Sequence, residues 1–305
     1  TDFYANLADI MPDSDLNSLK NDLMSNIESD KDSRGDWEKT YREGLEYLGM
    51  KYEERSQPFE GASGVMHPLL SESVTQFQAQ AYNELLPSQG PVKTQVLGMT
   101  TPETEQQAAR VQEFMNYQLM QVMKEYDPET DQMLFYLPLS GSAFRKVYYD
   151  QNLGRAVSKF IPSEDLIVPY SATDLHSATR ITHVINMPMN DIRKLQQIGF
   201  YSDVDIDSGN MMADETDDIQ EGIDELQGVK PSYDDDDTCK VHEIHTELDI
   251  EGFEDMNAEG EDTGIKLPYI VTIGNNKVLS IRRNYKENDQ LKQRINYFVH
   301  YKFLP

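Results

Sequence analysis

The sequence predicts an α+β fold: N-terminal helices, then an antiparallel β-rich region, with one acidic insertion. Three observations carry this. Apolar residues recur at helical spacing through most of the chain before Ser140. From Ala143 onward they alternate with a two-residue period, in short runs separated by turn residues. Between Asp203 and Thr263 the composition breaks, with 23 acids against two bases, Lys230 and Lys240. That stretch carries −21 of the formal net charge of −27, and the other 244 residues hold 31 acids and 25 bases. A segment so charged resists collapse into a core and repels phosphate, so it is not a DNA-gripping surface.

Asp13–Glu28 and Asp36–Leu48 read as helices, the second with Asp36 as N-cap, Trp37, Tyr41, Leu45 and Leu48 on one face, and Gly49 as its end. Gln57–Gly64 is a turn-rich loop. His67-Pro-Leu-Leu opens a third helix, with Leu70, Val74, Phe77, Ala81 and Leu85 in register and Pro87 as a stop. Gln95–Leu97 is a short extended piece. Thr101 caps a long helix over Pro102–Tyr126, whose stripe is Val111, Phe114, Met115, Gln118, Leu119, Val122 and Met123. Asp127-Pro-Glu is a break and Thr130–Leu139 another helix. Ala143–Tyr149 and Ala156–Ile161 form a hairpin around Asp150–Gly154. Asp165–Val168 and Arg180–Asn186 are short strands, and Met189–Ile198 is a helix ended by Gly199. Lys240–Ile250, Tyr269–Ile273 and Lys277–Ile281 read as a strand trio with Gly274-Asn-Asn as a tight turn. These elements suggest an N-terminal helical segment (1–60), a helical part (61–139) and a β-rich part (140–305) that contains the insertion 203–263.

Aromatics make up 10% of the chain, with 17 Tyr and 11 Phe, enough to build cores outside the insertion. The single cysteine, Cys239, excludes an internal disulfide framework. No apolar run approaches the roughly 18 residues of a membrane span, and no membrane partner is expected. Thr1–Asn21 has no signal-peptide pattern. The chain starts at Thr1 and stops inside the strand-like run Ile295–Pro305, so it is expected to be a fragment of a longer polypeptide.

Few residues point to chemistry. Cys239, His242 and His245 have suggestive spacing for a metal, but on a strand His242 and His245 face opposite sides, and a fourth soft ligand is lacking. Asp203, Asp205 and Asp207 resemble the start of a calcium loop. There Ser208 stands where the loop needs glycine, and Asp214 where it needs a bidentate glutamate. Asp234–Asp237 reads as hydrated linker. Gly61-Ala-Ser-Gly64 is too short for a phosphate loop, and Ser140-Gly-Ser-Ala lacks the second glycine of a nucleophile elbow. No catalytic set and no cofactor site emerge, and enzymatic activity is not expected. Arg282, Arg283, Lys286 and Arg294, interleaved with tyrosines, are candidate phosphate or subunit contacts.

Three stretches together resemble the portal (head-to-tail connector) proteins of tailed bacteriophages, especially the short-tailed-phage type. One is Tyr52-Glu-Glu-Arg-Ser-Gln-Pro-Phe-Glu-Gly-Ala-Ser-Gly-Val-Met-His-Pro, running into Leu69–Leu86. The second is Ser140-Gly-Ser-Ala-Phe-Arg-Lys-Val-Tyr-Tyr-Asp150, with Phe160–Val168 and Thr182-His-Val-Ile. The third is Val241–Gly252 with Leu267-Pro-Tyr-Ile-Val-Thr-Ile. The resemblance spans about Tyr52 to Pro305 and rests on order and texture, since none of the motifs is catalytic. It implies the wing of a dodecameric ring at a capsid vertex, with stem, clip and crown lying after Pro305. Such a ring docks terminase during genome packaging and later the tail, and double-stranded DNA passes through it without sequence-specific binding. The expected location is the virion, assembled in host cytoplasm. The resemblance does not require so long an acidic insertion. A second reading is a divalent-cation-binding module centred on 203–237, and a third is a nucleic-acid hydrolase with carboxylate-bound metal.

Overall fold

The computed structural model describes residues 2–49, 59, 63–65, 67–150, 153–206, 238–256 and 260–303. They form an α+β chain in two units, with two antiparallel sheets. Unit 1 is Thr1–Arg42 with Glu164–Asn296, and unit 2 is Glu43–Ser163 with Tyr297–Pro305. Contacts therefore group residues across the boundaries at 60 and 139 drawn along the sequence. The Gln57–Gly64 turn lies largely outside the described residues, and so do 207–237 of the acidic insertion.

Unit 1 is built on a five-stranded sheet in the order β3-β4-β5-β6-β7. Its strands are β3 (Leu166–Ile167), β4 (Arg180–Pro188), β5 (Thr238–Leu248), β6 (Leu267–Gly274) and β7 (Lys277–Arg283). Strand alternation sends Ile244 to one face, between Thr182 and Val271. There Leu23 and Ile27 of α1 (Asp13–Asp32) and Leu7 pack with Tyr269, Val271 and Ile281. The opposite face receives Met189 and Ile192 of α6 (Met189–Gln197), with Tyr201 and Ile206, against Cys239, Val241 and Leu279. Asn275 and Asn276, at φ 44° and 61°, make the β6–β7 turn. Two successive positive φ values are what a two-residue type I′ hairpin demands, and asparagine tolerates them best after glycine. Asp30 of α1 grips Arg180 of β4 through Nε at 2.9 Å and Nη2 at 2.6 Å.

Unit 2 contains α3 (Leu69–Leu85), α4 (Pro102–Tyr117), α5 (Tyr126–Ser140) and a three-stranded sheet ordered β2-β1-β8. The expected hairpin is present: β1 (Ser142–Asp150) pairs with β2 (Arg155–Ile161) from Phe144↔Ile161 to Asp150↔Arg155. β8 (Phe298–Lys302) returns from far along the chain to the other side of β1. Met133, Leu134 and Leu137 of α5 meet Ala143, Phe77, Ala81, Phe160 and Tyr301 in one core. α2 (Gly35–Leu48) crosses from one unit's residues into the other's.

Several expectations need correction. Asp36 lies inside the first turn of α2, not at its cap. The long helix over Pro102–Tyr126 is broken. α4 stops at Tyr117, a π-helical turn covers Gln118–Val122, and α5 begins at Tyr126. Pro128 falls in the first turn of α5, where a missing N–H costs nothing, so Asp127-Pro-Glu starts a helix instead of breaking one. Within α4 itself no residue is buried, while Met123 at the far end of the stripe is. The amides of α4 hold the preceding segment: Asn116 Oδ1 accepts from Val92 N at 2.9 Å and Nδ2 donates to Val92 O at 3.1 Å. Gly90, at φ 93°, makes room for this, since a Cβ there would strike Asn116 Cγ at 2.4 Å.

Ile244 is buried completely at the centre of the larger sheet. Ile244→Ala is expected to remove about 2–5 kcal/mol of stability through the cavity it leaves. The check is a lower urea midpoint for the transition that unfolds unit 1.

Candidate functional site

The sheet of unit 1 carries a polar row that sequence reading missed. His183, Glu243, Thr272 and Ser280 stand directly opposite one another across β4, β5, β6 and β7. Ser280 Oγ donates to Thr272 Oγ1 at 3.1 Å. One step along β5, His245 places Nε2 2.7 Å from Glu243 Oε1, and Asn284 Nδ2 lies 3.5 Å from His245 Nδ1. Glu243 is an acceptor and the Asn284 amide a donor, which suits a neutral ring protonated on Nε2. Asn284 also donates to Ile295 O at 3.1 Å and so anchors the segment after β7. His245 is 1% exposed, while Glu243 is half-buried with its side chain 19% exposed. The pair joins β5 to that segment inside a low-dielectric interior, where an unpaired polar group is costly. The only sequence signal was the spacing of Glu243 and His245, two apart on one strand face.

Tyr201 lies near this row. Burial first, and then the Glu243 charge, push its phenol well above the usual tyrosine range, while Arg282 pulls the other way. Burial likewise pushes Tyr269, on the opposite sheet face, up to about 12.

The metal candidates do not converge. Cys239 and His245 share one face of β5, and His242 has the other. Asp203 and Asp205 are exposed, and the carbonyl of Asp205 accepts from the Lys277 ammonium. Asp207 lies outside the described residues, as do Ser208, Asp214 and Asp234–Asp237. Among the described residues no group of three or more His, Cys, Asp or Glu could hold a metal ion. Ser140 Oγ donates to Tyr136 O and Ser142 O, which ties it to backbone.

The four candidate phosphate or subunit contacts separate into two kinds. Three arginines serve backbone carbonyls. Arg282 reaches Tyr4 O at 2.9 Å and Phe200 O at 2.8 Å, with its guanidinium 4.4 Å from the Phe200 ring centre. Arg283 reaches Phe3 O at 2.9 Å and lies against the Phe3 and Phe253 rings. Arg294 donates to Ala178 O at 2.7 Å, Leu175 O at 2.9 Å and His176 O at 3.2 Å. Burial lowers the Arg282 and Arg294 values from the ordinary arginine range. Lys286 differs: it is exposed at an open cleft of about 750 Å³ that Tyr4, Asp289 and Gln293 also line. In unit 2, Arg145 is buried with Ser158 Oγ, Thr130 Oγ1 and Tyr126 O as acceptors and the Tyr126 ring 4.6 Å away.

No helix among the described residues is long and apolar enough to cross a membrane. No known protein-family model matches the chain, and no curated protein matches it in sequence.

Two outcomes test this picture. Arg294→Ala is expected to cost about 1.5–3 kcal/mol, the scale of hydrogen bonds to a charged group. Weak electrostatic binding of duplex DNA should stay unchanged, as read by urea unfolding and fluorescence anisotropy on the same sample. In alkaline titration, the unfolded chain loses its tyrosine protons near pH 10, and Tyr269 in the fold keeps its own to about 12. The native state then holds the extra proton, so stability is whole below pH 10 and falls as pH rises towards 12. A phenolate absorbance step for Tyr269 at ordinary tyrosine pH in the folded protein would contradict this.

Proposed function

We propose that the chain is a structural subunit of a tailed-bacteriophage portal ring, contributing mainly its wing. Its partners are further copies of itself, the terminase motor, capsid and tail proteins, and double-stranded DNA that slides past without sequence-specific contact. The location is the virion. Beside the sequence resemblance, one observation carries the reading. α4 presents Val111 at 54% exposure, Phe114 at 60% and Tyr117 at 55%, preceded by Leu97 and Met99 at 88%. A sixteen-residue helix with an apolar outer face and no buried residue lacks a core of its own. Such a face belongs against another chain, and in a ring that chain is the next copy.

The charge distribution supports the same role. Net charge is −27, and Arg282, Arg283 and Arg294 are drawn inward onto carbonyls. Fixed, outward cations would hold DNA phosphates and slow passage. In this reading the buried Glu243–His245 pair is a brace.

The complete gene product is expected to form closed rings in negative-stain electron microscopy. Phe114→Asp with Val111→Asp should weaken assembly by about 2 kcal/mol or more, roughly thirty-fold, as for an interface hot spot. Monomers alone for the unmodified protein, at every concentration and salt tried, would remove the ring.

A further inference from the structure

β7 is the end strand of the five-stranded sheet, and the way it is closed stands apart from the portal reading. An end strand presents backbone N–H and C=O groups that template pairing with another chain. Here those groups meet two segments distant in sequence. The Asn6 side chain takes the place of a strand residue: Oδ1 accepts from Ile281 N at 2.9 Å and Nδ2 donates to Leu279 O at 3.2 Å. The same amide donates to Ser202 Oγ at 2.9 Å and accepts from Ala8 N at 3.2 Å. All four of its hydrogen-bonding valences are thus filled, at 5% exposure.

The second segment leads into the acidic insertion. Ser202 N donates to Leu279 O at 2.7 Å, and Asp205 O accepts from Lys277. Gln196 of α6 holds this segment from behind through Ser202 O and Val204 O. Arg282 ties the two segments a second time, reaching Tyr4 O on one and Gly199 O and Phe200 O on the other.

The geometry points to a two-part guard clasped by Asn6: residues 2–11 and 199–206 close the β7 edge together, and releasing one releases the other. Opened, β7 pairs antiparallel with β7 of a second copy, centred on Ser280. A side-chain amide satisfies one N–H and one C=O and cannot propagate a ladder, which makes it a stopper for such pairing. In the open pair, Lys277 and Arg283 of the two copies stand opposite each other, so added salt strengthens the association.

Asn6→Asp tests this, because it keeps the shape and removes both N–H donors. Amide hydrogen exchange is expected to rise at least ten-fold in 2–11, 199–206 and 279–283 together, with β4 and β5 unchanged. Sedimentation velocity should show association beyond that of the unmodified protein, increasing with salt. Faster exchange in 2–11 while 199–206 keeps its protection would overturn the clasp. Loosening of all three segments without added association would overturn the guard. Ser202→Ala retains three of the four Asn6 bonds and covers the case in which Asn6→Asp does not fold. It should give a few-fold rise in the same three segments, and an unchanged 2–11 would count against the proposal.

Discussion

Burying a polar group costs least when the fold supplies its partner, and much of unit 1 is organised by that constraint. β5 and β6 run through the middle, with α1 on one side and α6 on the other. Thr272 and Ser280, the buried half of the polar row, answer each other, while His183 and Glu243 are half-buried. Asn284 shows the consequence. One amide contacts His245 and Ile295 O, which fixes both the ring and the direction of the segment leaving β7. At the edge the demand is the same, and Asn6 meets it with a single side chain.

The demand also decides what the arginines do. Segments 2–6, 174–178 and 199–202 are turns and bends outside helix and strand, so carbonyls there need donors. A guanidinium offers five donors in a planar fork and can serve two or three carbonyls at once. Arg294 does so for 175, 176 and 178, and Arg282 for 4, 199 and 200. Lysine, a compact point charge, could not span such a set. The three arginines that read from sequence as candidate phosphate or subunit contacts also hold, in the fold, the carbonyls of loops.

Legibility in the sequence followed the range of the interaction. Local signals were plain: the Thr101 cap and Pro102, the Asp150–Gly154 hairpin, the Asn275-Asn276 turn and the alternation that separates His242 from His245 each depend on a few neighbours. Pairing between distant residues was not. Nothing in Phe298–Lys302 says that it joins β1, and nothing in Tyr-Ala-Asn-Leu says that Asn6 meets Ile281. The α4 stripe is a case of a different kind. Helical periodicity reports that a face is apolar, not that this chain covers it. The break near Met123 was hidden because Val122 and Met123 continue the stripe while the backbone passes through a π turn. The candidate site was least legible of all, since a buried Glu–His pair on one strand has the same spacing as any alternating strand.

α4 shows what the two units ask of the outside. In unit 1 the Ile281 N–H and the Leu279 C=O at the β7 edge are met from within, by Asn6 and by Ser202 N. In unit 2, two amides of α4 likewise turn inward, Asn116 to Val92 and Gln112 to Thr94. What α4 offers outward is apolar area carried by Val111, Phe114 and Tyr117. An interface formed there is driven by removal of that area from water, at about 25 cal/mol per Å² before the entropic cost of association is counted. Such a contact is undemanding in geometry and little affected by salt screening. Asn116 and Gln112 are engaged within their own unit, so directed contacts from α4 fall to its exposed charged residues Glu105, Arg110 and Glu113.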